Sequence, residues 1–138
     1  MKLAFSKGLN YIYLGAGFFR SAVADLFFLR PALIGFASAL LLNIVTWLFT
    51  IALTRSIGSD IAILHYNVIF GIDKVGEGVS LYALPLAALE IFVINFVVAA
   101  LIAGKKNALL IYILAAGSFL ASAIILVALY FIYLVNFS

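Results

Sequence analysis

The chain has 138 residues, of which 68% are hydrophobic and only 9% are charged, and its formal net charge is +3. A soluble domain carries about a quarter charged residues, so this composition excludes a water-soluble globular protein and predicts one integral membrane unit over residues 1–138. The chain has no cysteine and one histidine. Disulfides, thiolate metal sites and a histidine zinc site within one chain are therefore excluded, and we expect neither a metal nor a cofactor.

Residues 2–29 combine large apolar side chains with a narrow polar stripe at helical spacing, which predicts an amphipathic helix lying along the membrane surface. The stripe consists of Ser6, Asn10, Gly17, Ser21 and Asp25. A steeply inserted fourth span is the alternative, and Arg20 and Asp25 count against it. The segment should end at Arg30, because a residue before proline avoids the helical region and Pro31 suits the first turn of a new helix.

The first clear transmembrane span is predicted over residues 33–53, with Asn43 at its middle and Trp47 towards its far end. Residues 54–81 follow as the only long polar interval. Their central part, residues 61–72, is rich in β-branched and aromatic side chains, which predicts a short strand or hairpin near the lipid headgroups.

The second span, residues 82–103, is nearly all apolar. At ~1.5 Å per residue it is long enough to cross the ~30 Å hydrocarbon layer. It contains one carboxylate, Glu90, and a charged side chain near the middle of a span costs at least ~2.5 kcal/mol on insertion scales. Glu90 should therefore be protonated, paired, or turned towards protein or water. Asn95 lies about 140° away around the helix, so the two residues do not form one polar track.

The third span is predicted over residues 108–135, after a tight connection at residues 104–107. Glycine can stop one helix there and asparagine can cap the next, which predicts an antiparallel helical hairpin. Two pairs of small residues lie four positions apart on adjacent faces of the third span, and they permit close helix contact. These residues are Gly117, Ala121, Ser118 and Ser122.

The positive charges predict the orientation. One side of a three-span protein receives Lys2, Lys7, Arg20, Arg30, Lys105 and Lys106, and the other receives Arg55 and Lys74. Because basic residues accumulate on the cytoplasmic side, we expect a multi-pass protein of the cell membrane with its amino terminus in the cytoplasm. The loop at residues 54–81 and the carboxyl end would then be extracytoplasmic.

The loop from Leu64 to Asp73 reads LHYNVIFGID and is followed by Val75-Gly76. It resembles a loop of uncharacterised small three-span membrane proteins from bacteria of streamlined lineages. In that family a similar loop lies between a first span ending near a tryptophan and a second span containing an asparagine, as Trp47 and Asn95 do here. The resemblance covers residues 30–136, with departures at Lys74 and Glu77. It implies a three-span architecture and no particular activity.

The loop also holds a candidate recognition site, formed by His65, Tyr66, Asn67 and Asp73. Histidine titrates close to neutrality, so this group could form a recognition surface or a pH-responsive contact. The simpler interpretation is that His65 hydrogen-bonds within its own fold. No nucleophile elbow or other catalytic motif is present in the sequence, and we expect no enzymatic activity.

Glu90, Asn43 and Asn95 are the candidate intramembrane polar residues. Glu90 could exchange protons or hold a cation, or it could be a neutral carboxyl that bonds a neighbouring helix, for instance through Asn43. The leading hypothesis is a non-enzymatic structural or assembly subunit that forms homo-oligomers or joins other membrane subunits. The alternatives are an oligomeric proton or ion pathway that uses Glu90 and a membrane-shaping protein acting through residues 2–29. Lipids are the expected surroundings, and neither nucleic acid nor a small-molecule substrate is indicated.

Overall fold

The computed structural model describes residues 17, 20, 21, 23, 24, 26, 29–58, 61–67, 69, 71–103 and 107–137, without the side chains of residues 66, 67 and 73. Most of the predicted amphipathic helix at residues 2–29, including Ser6, Asn10 and Asp25, lies outside this set. The residues described between Gly17 and Leu26 are helical.

Three long helices form the body of the protein, and they confirm the three predicted spans. They are α1 (Arg30–Ile57), α2 (Ala83–Ala103) and α3 (Ala108–Phe137). Each of the three is long and apolar enough to cross a membrane. For α2 this length includes the turn before it, so that the segment is Gly78–Ala103.

Helix α1 is longer than the span predicted from the sequence. It begins at Arg30 with Pro31 in its first turn and ends at Ile57, where Gly58 takes a positive φ of 66°. The prediction stopped before Thr54, the first polar residue after the apolar run. The polar residues beyond this point are accommodated within the helix: Thr54 Oγ1 donates to the carbonyl of Gly78 at 3.4 Å, and Ser56 Oγ donates to the carbonyl of Ala52 at 3.0 Å.

Between α1 and α2 lies an antiparallel β-hairpin of strands β1 (Ile61–Asn67) and β2 (Gly71–Glu77). This confirms the predicted hairpin and extends it from residue 72 to residue 77. Gly71 has a φ of 78°, a conformation that favours glycine where the chain enters β2. A 3-10 turn, Gly78–Tyr82, then leads into α2.

The side of α1 that faces the other helices has buried residues at alternating spacings of four and three, and five of these eight residues are small or polar. The buried residues are Ala32, Phe36, Ala39, Asn43, Thr46, Thr50, Leu53 and Ile57. This spacing keeps one stripe of a helix against its neighbours over its whole length. At Gly35 the approach to α3 is so close that an added Cβ would lie 3.1 Å from the Cβ of Ala115.

The outer surface of the helices has the opposite character, since it is covered by large aliphatic side chains such as Leu41, Ile94 and Ile124. A soluble bundle buries such residues and exposes polar ones. Here small and polar residues pack inside while the apolar exterior suits lipid, which is the arrangement of membrane helix bundles.

Two apolar clusters hold the ends of the bundle. One lies near the connection between α2 and α3 and includes Phe36, Ala99, Ile111 and also Leu26, so the described part of the amino-terminal segment packs against the helices. The other lies beneath the hairpin and consists of Leu53, Ile57, Ala62, Leu81 and Leu129. The polar residues of the interior lie between these clusters.

Candidate functional site

Asn43 connects α1 to α2. Its side chain is 2% exposed, and its Nδ2 donates a hydrogen bond to the carbonyl oxygen of Pro85 at 3.1 Å. The sequence had suggested a bond between Asn43 and Glu90, but the structure pairs Asn43 with the backbone at the start of α2 instead. Asn43 therefore holds two helices together at a point where no water competes for the amide.

Asn95 makes the corresponding connection between α2 and α3. Its Nδ2 donates to Ser118 Oγ at 3.1 Å, and that hydroxyl donates in turn to the carbonyl of Leu114 at 3.0 Å. Gly117 lies beside the amide, and a Cβ added there would lie 3.7 Å from Asn95 Nδ2, an ordinary contact distance. Of the small residues singled out in α3, Ser118 and Gly117 thus lie beside Asn95.

The remaining hydroxyls of the interior differ in their bonding. Thr46 and Thr50 donate to the carbonyls of Leu42 and Thr46, each at 2.8 Å, and so are satisfied by α1 itself. Ser122 is fully buried, and its hydroxyl has no hydrogen-bond partner in the described part of the chain. Ala121, beside it, is partly buried.

Glu90 lies on the opposite side of α2 from these contacts. It is the eighth of the 21 residues of the helix, about 10 Å from its start, and its side chain is exposed. It makes no hydrogen bond or ion pair with any residue that the structure describes. The exposed neighbours of Glu90 on α2 are all apolar. We define the outer face of α2 as Glu90 together with five of these neighbours: Leu86, Val93, Ile94, Val97 and Leu101.

The candidate recognition group of the loop is only partly placed. His65 is exposed and lies opposite Lys74 in the register of the hairpin. The backbones of Tyr66 and Asn67 belong to β1 and that of Asp73 to β2, but their side chains are outside the description. The structure therefore brings His65 together with a lysine that the sequence had not singled out.

Asn136, at the end of α3, was missed by the sequence analysis. The backbone N–H of Ile63 donates to Asn136 Oδ1 at 2.9 Å, and Asn136 Nδ2 donates to the carbonyl of Ile63, also at 2.9 Å. The Asn136 carboxamide thus makes the two hydrogen bonds that a neighbouring strand would make to one residue of β1. These bonds attach the hairpin to α3. No spacing in the sequence signals this contact, because the partners are 73 positions apart.

Aromatic side chains gather into a belt at the hairpin end of the helices. The rings of Trp47 and Tyr82 lie 6.0 Å apart, and Tyr133 contacts Phe49 at 5.8 Å and Tyr130 at 6.4 Å. Tryptophan and tyrosine favour the headgroup level of a membrane, so this belt indicates where the bundle leaves the hydrocarbon.

No family model, curated protein or solved structure matches this chain. The resemblance to small three-span bacterial membrane proteins therefore stays an expectation from the loop residues. Within the chain itself, the clearest contrast lies between Glu90, which has no partner among the described residues, and Asn43 and Asn95, which are both bonded.

Proposed function

We propose that this protein is a non-enzymatic assembly subunit of a membrane that associates with copies of itself through the outer face of α2. One observation carries the proposal. Glu90 lies well inside a helix long enough to span a membrane, yet its side chain points out of the bundle and has no partner among the described residues.

The surroundings of that carboxyl determine what it costs in free energy. Left against acyl chains it costs at least ~2.5 kcal/mol on insertion scales. Within the bundle, the two amides that could bond Glu90 already have partners. The Asn43 amide donates to the Pro85 carbonyl, and the Asn95 amide donates to Ser118. A second protein surface at the same depth would remove most of this cost. A protonated carboxyl both donates and accepts hydrogen bonds, so two such groups satisfy each other.

Symmetry explains why the partner should be another copy. All copies insert in the same orientation, so the rotation axis that relates them runs along the membrane normal. Equivalent residues then lie at the same depth, and in a two-fold dimer whose axis passes beside Glu90 the two carboxyls meet. The apolar residues above and below it, such as Leu86 and Ile94, would supply the packing around this polar contact.

The assembly proposal is favoured over an ion pathway by the position of the polar groups. A pathway needs several polar groups in register along one surface. In the described helices Asn43 and Asn95 are bonded on the inner side of α2, whereas Glu90 is flanked by aliphatic residues. The membrane-shaping alternative rests on residues 2–29, most of which lie outside the description.

We also propose that the amino terminus is cytoplasmic and the carboxyl terminus extracytoplasmic, in the cell membrane. The support is the distribution of basic residues. The end of the bundle with Arg30 also receives the connection that contains Lys105 and Lys106, while Arg55 and Lys74 belong to the hairpin end. Tags at the two termini should be accessible from opposite compartments, and accessibility from one compartment would contradict this orientation.

Cysteine cross-linking tests the assembly directly, because the natural chain has no cysteine. Ile94→Cys, on the outer face of α2, should form a disulfide between copies when native membranes are treated with an oxidant such as copper phenanthroline. Leu41→Cys on α1 and Leu120→Cys on α3 are matched controls, since these residues are exposed to similar extents: 63% and 57%, against 62% for Ile94. We expect little cross-linking from either control.

The role of the carboxyl is tested in the same background. Adding Glu90→Leu to Ile94→Cys should abolish most of the cross-link, because the polar contact between copies is lost, whereas Glu90→Gln should preserve much of it through amide hydrogen bonds. Equal cross-linking from all three helices, or a cross-link unaffected by Glu90→Leu, would refute the proposal.

A further inference from the structure

A hollow of about 330 Å³ lies where the hairpin meets the start of α2 and the end of α3. One part of its wall is polar and carries His65, Lys74 and Ser80. The rest is apolar and is formed mainly by Leu81, Leu84 and Ile132. The hollow is therefore amphipathic, with Lys74 and His65 contributed by the hairpin and most of its aliphatic groups by the turn and helices that follow.

The charge of this hollow is positive. Lys74 is exposed, makes no ion pair with a described residue, and faces His65 across the two strands. No carboxylate is among the residues that line the hollow in the described structure. A lysine ammonium, a histidine ring and a serine hydroxyl together provide donors for the oxygens of a phosphate group.

The hollow also lies at the level where headgroups are expected. Its wall includes Leu81, next to Tyr82, whose ring packs against Trp47 in the aromatic belt. A second hollow, of about 380 Å³, adjoins the first and shares Leu64, His65 and Ile132 with it. Apart from His65 its lining is apolar and comes from β1 and the last turns of α3, including Phe131 and Val135.

We infer that the two hollows form a binding site for one anionic phospholipid. Lys74, His65 and Ser80 hold the phosphate of the headgroup in the first hollow, and the upper part of an acyl chain lies against Phe131 and Val135 in the second. The volume of the first hollow suits a headgroup rather than a whole lipid. The site is separate from Glu90 and does not depend on self-association.

Lipid retention by the intact, detergent-solubilised protein tests the site. The protein is equilibrated with phosphatidylglycerol or with phosphatidylcholine, and the bound lipid is counted by native mass spectrometry. Lys74→Gln should reduce bound phosphatidylglycerol about fivefold, the effect expected of one basic residue near an anionic lipid surface. Arg55→Gln is the matched control, because Arg55 is exposed at the same end of the bundle but does not line the hollow.

A second variant tests the hollow by volume instead of charge. Ala83 is exposed and lines the hollow, so Ala83→Phe should fill it and displace the lipid without disturbing the packing of the helices. Equal retention by the natural chain, Lys74→Gln and Ala83→Phe would overturn the inference, as would equal retention of phosphatidylcholine. Binding of glycerol 3-phosphate as tightly as of the lipid would assign the site to a free phosphate ester and would also overturn it.

Discussion

The two faces of α2 treat their polar residues in opposite ways. On the inner face, Asn95 donates to Ser118 of α3, and the Pro85 carbonyl accepts from Asn43 of α1. On the outer face, Glu90 is exposed among aliphatic side chains and has no partner in the described structure. The inner face is complete within one chain, whereas the outer face is complete only if something else covers it.

This difference separates polar residues that build the fold from a polar residue that is available to a partner. Both types are rare in transmembrane helices, and both are costly when unpaired. Glu90 and Asn95 are five positions apart on one helix. This spacing places the Asn95 side chain against α3 and the Glu90 side chain against the surroundings of the bundle. The amino-acid composition alone does not distinguish the role of Glu90 from that of Asn95.

The largest effect is expected when the carboxyl is moved to the inner face. Ala88 is 1% exposed, so Ala88→Glu combined with Glu90→Leu would bury a carboxyl without a partner. We expect the free energy of unfolding to fall by at least ~3 kcal/mol, through desolvation and overpacking. Titration with a denaturing detergent in bicelles measures this change.

The matched control keeps the carboxyl on the outer face. Ile94→Glu combined with Glu90→Leu leaves α2 with one carboxyl, now one turn further along, and does not touch the interior. The folded bundle should be about as stable as the natural one. If the two double variants lost the same stability, the distinction between the faces would be wrong.

The hydrogen bond between Asn95 and Ser118 should contribute a moderate effect. Asn95→Leu removes the donor, and we expect a loss of about 0.6–2 kcal/mol in the free energy of unfolding, the range measured for polar contacts between membrane helices. A double-mutant cycle with Ser118→Ala isolates the pair. A coupling energy near zero would show that the bond adds nothing to the inner face.

Asn136 extends the comparison to the hairpin, where a carboxamide is again satisfied within the chain. Asn136→Leu removes both bonds to Ile63, so hydrogen exchange of the Ile63 amide should accelerate about fivefold to tenfold, equivalent to ~1 kcal/mol. Asn136→Asp is the matched variant, because a carboxylate still accepts from the Ile63 N–H but cannot donate to its carbonyl. Unchanged exchange in Asn136→Leu would mean that other contacts hold the hairpin.

The sequence predicted the helices and the hairpin well because their signals are local. Twenty or more apolar residues specify a span, and β-branched residues between glycines favour strands. The helix ends were less accurate: Thr54 and Ser56 appeared to mark a loop, yet both belong to α1. The Ser56 hydroxyl bonds its own helix and the Thr54 hydroxyl bonds the Gly78 carbonyl, and the sequence shows neither contact.

The candidate site was predictable only in part. Glu90 and Asn95 were recognised as polar residues on different sides of one helix, since helical periodicity is enough to separate them. Which side faces the bundle depends on the packing of α1 and α3, as does the pairing of Asn43 with Pro85. The bond from Asn136 to Ile63 and the hollow beside Lys74 depend on how the hairpin folds back, and no local pattern encodes that.

Ser122 of α3 provides the smallest expected effect, and it tests the interior between the helices. It is fully buried, and its hydroxyl is unpaired within the described part of the chain, whereas the Ser118 hydroxyl, one turn earlier, has two partners. Ser122→Ala should therefore leave the free energy of unfolding unchanged or raise it by up to ~1 kcal/mol, because an unsatisfied polar group is removed at almost constant volume. Ser118→Ala should lower it. If both substitutions lowered stability equally, the Ser122 hydroxyl would be bonded in the folded protein, and the interior would not contain the unsatisfied polar group described above.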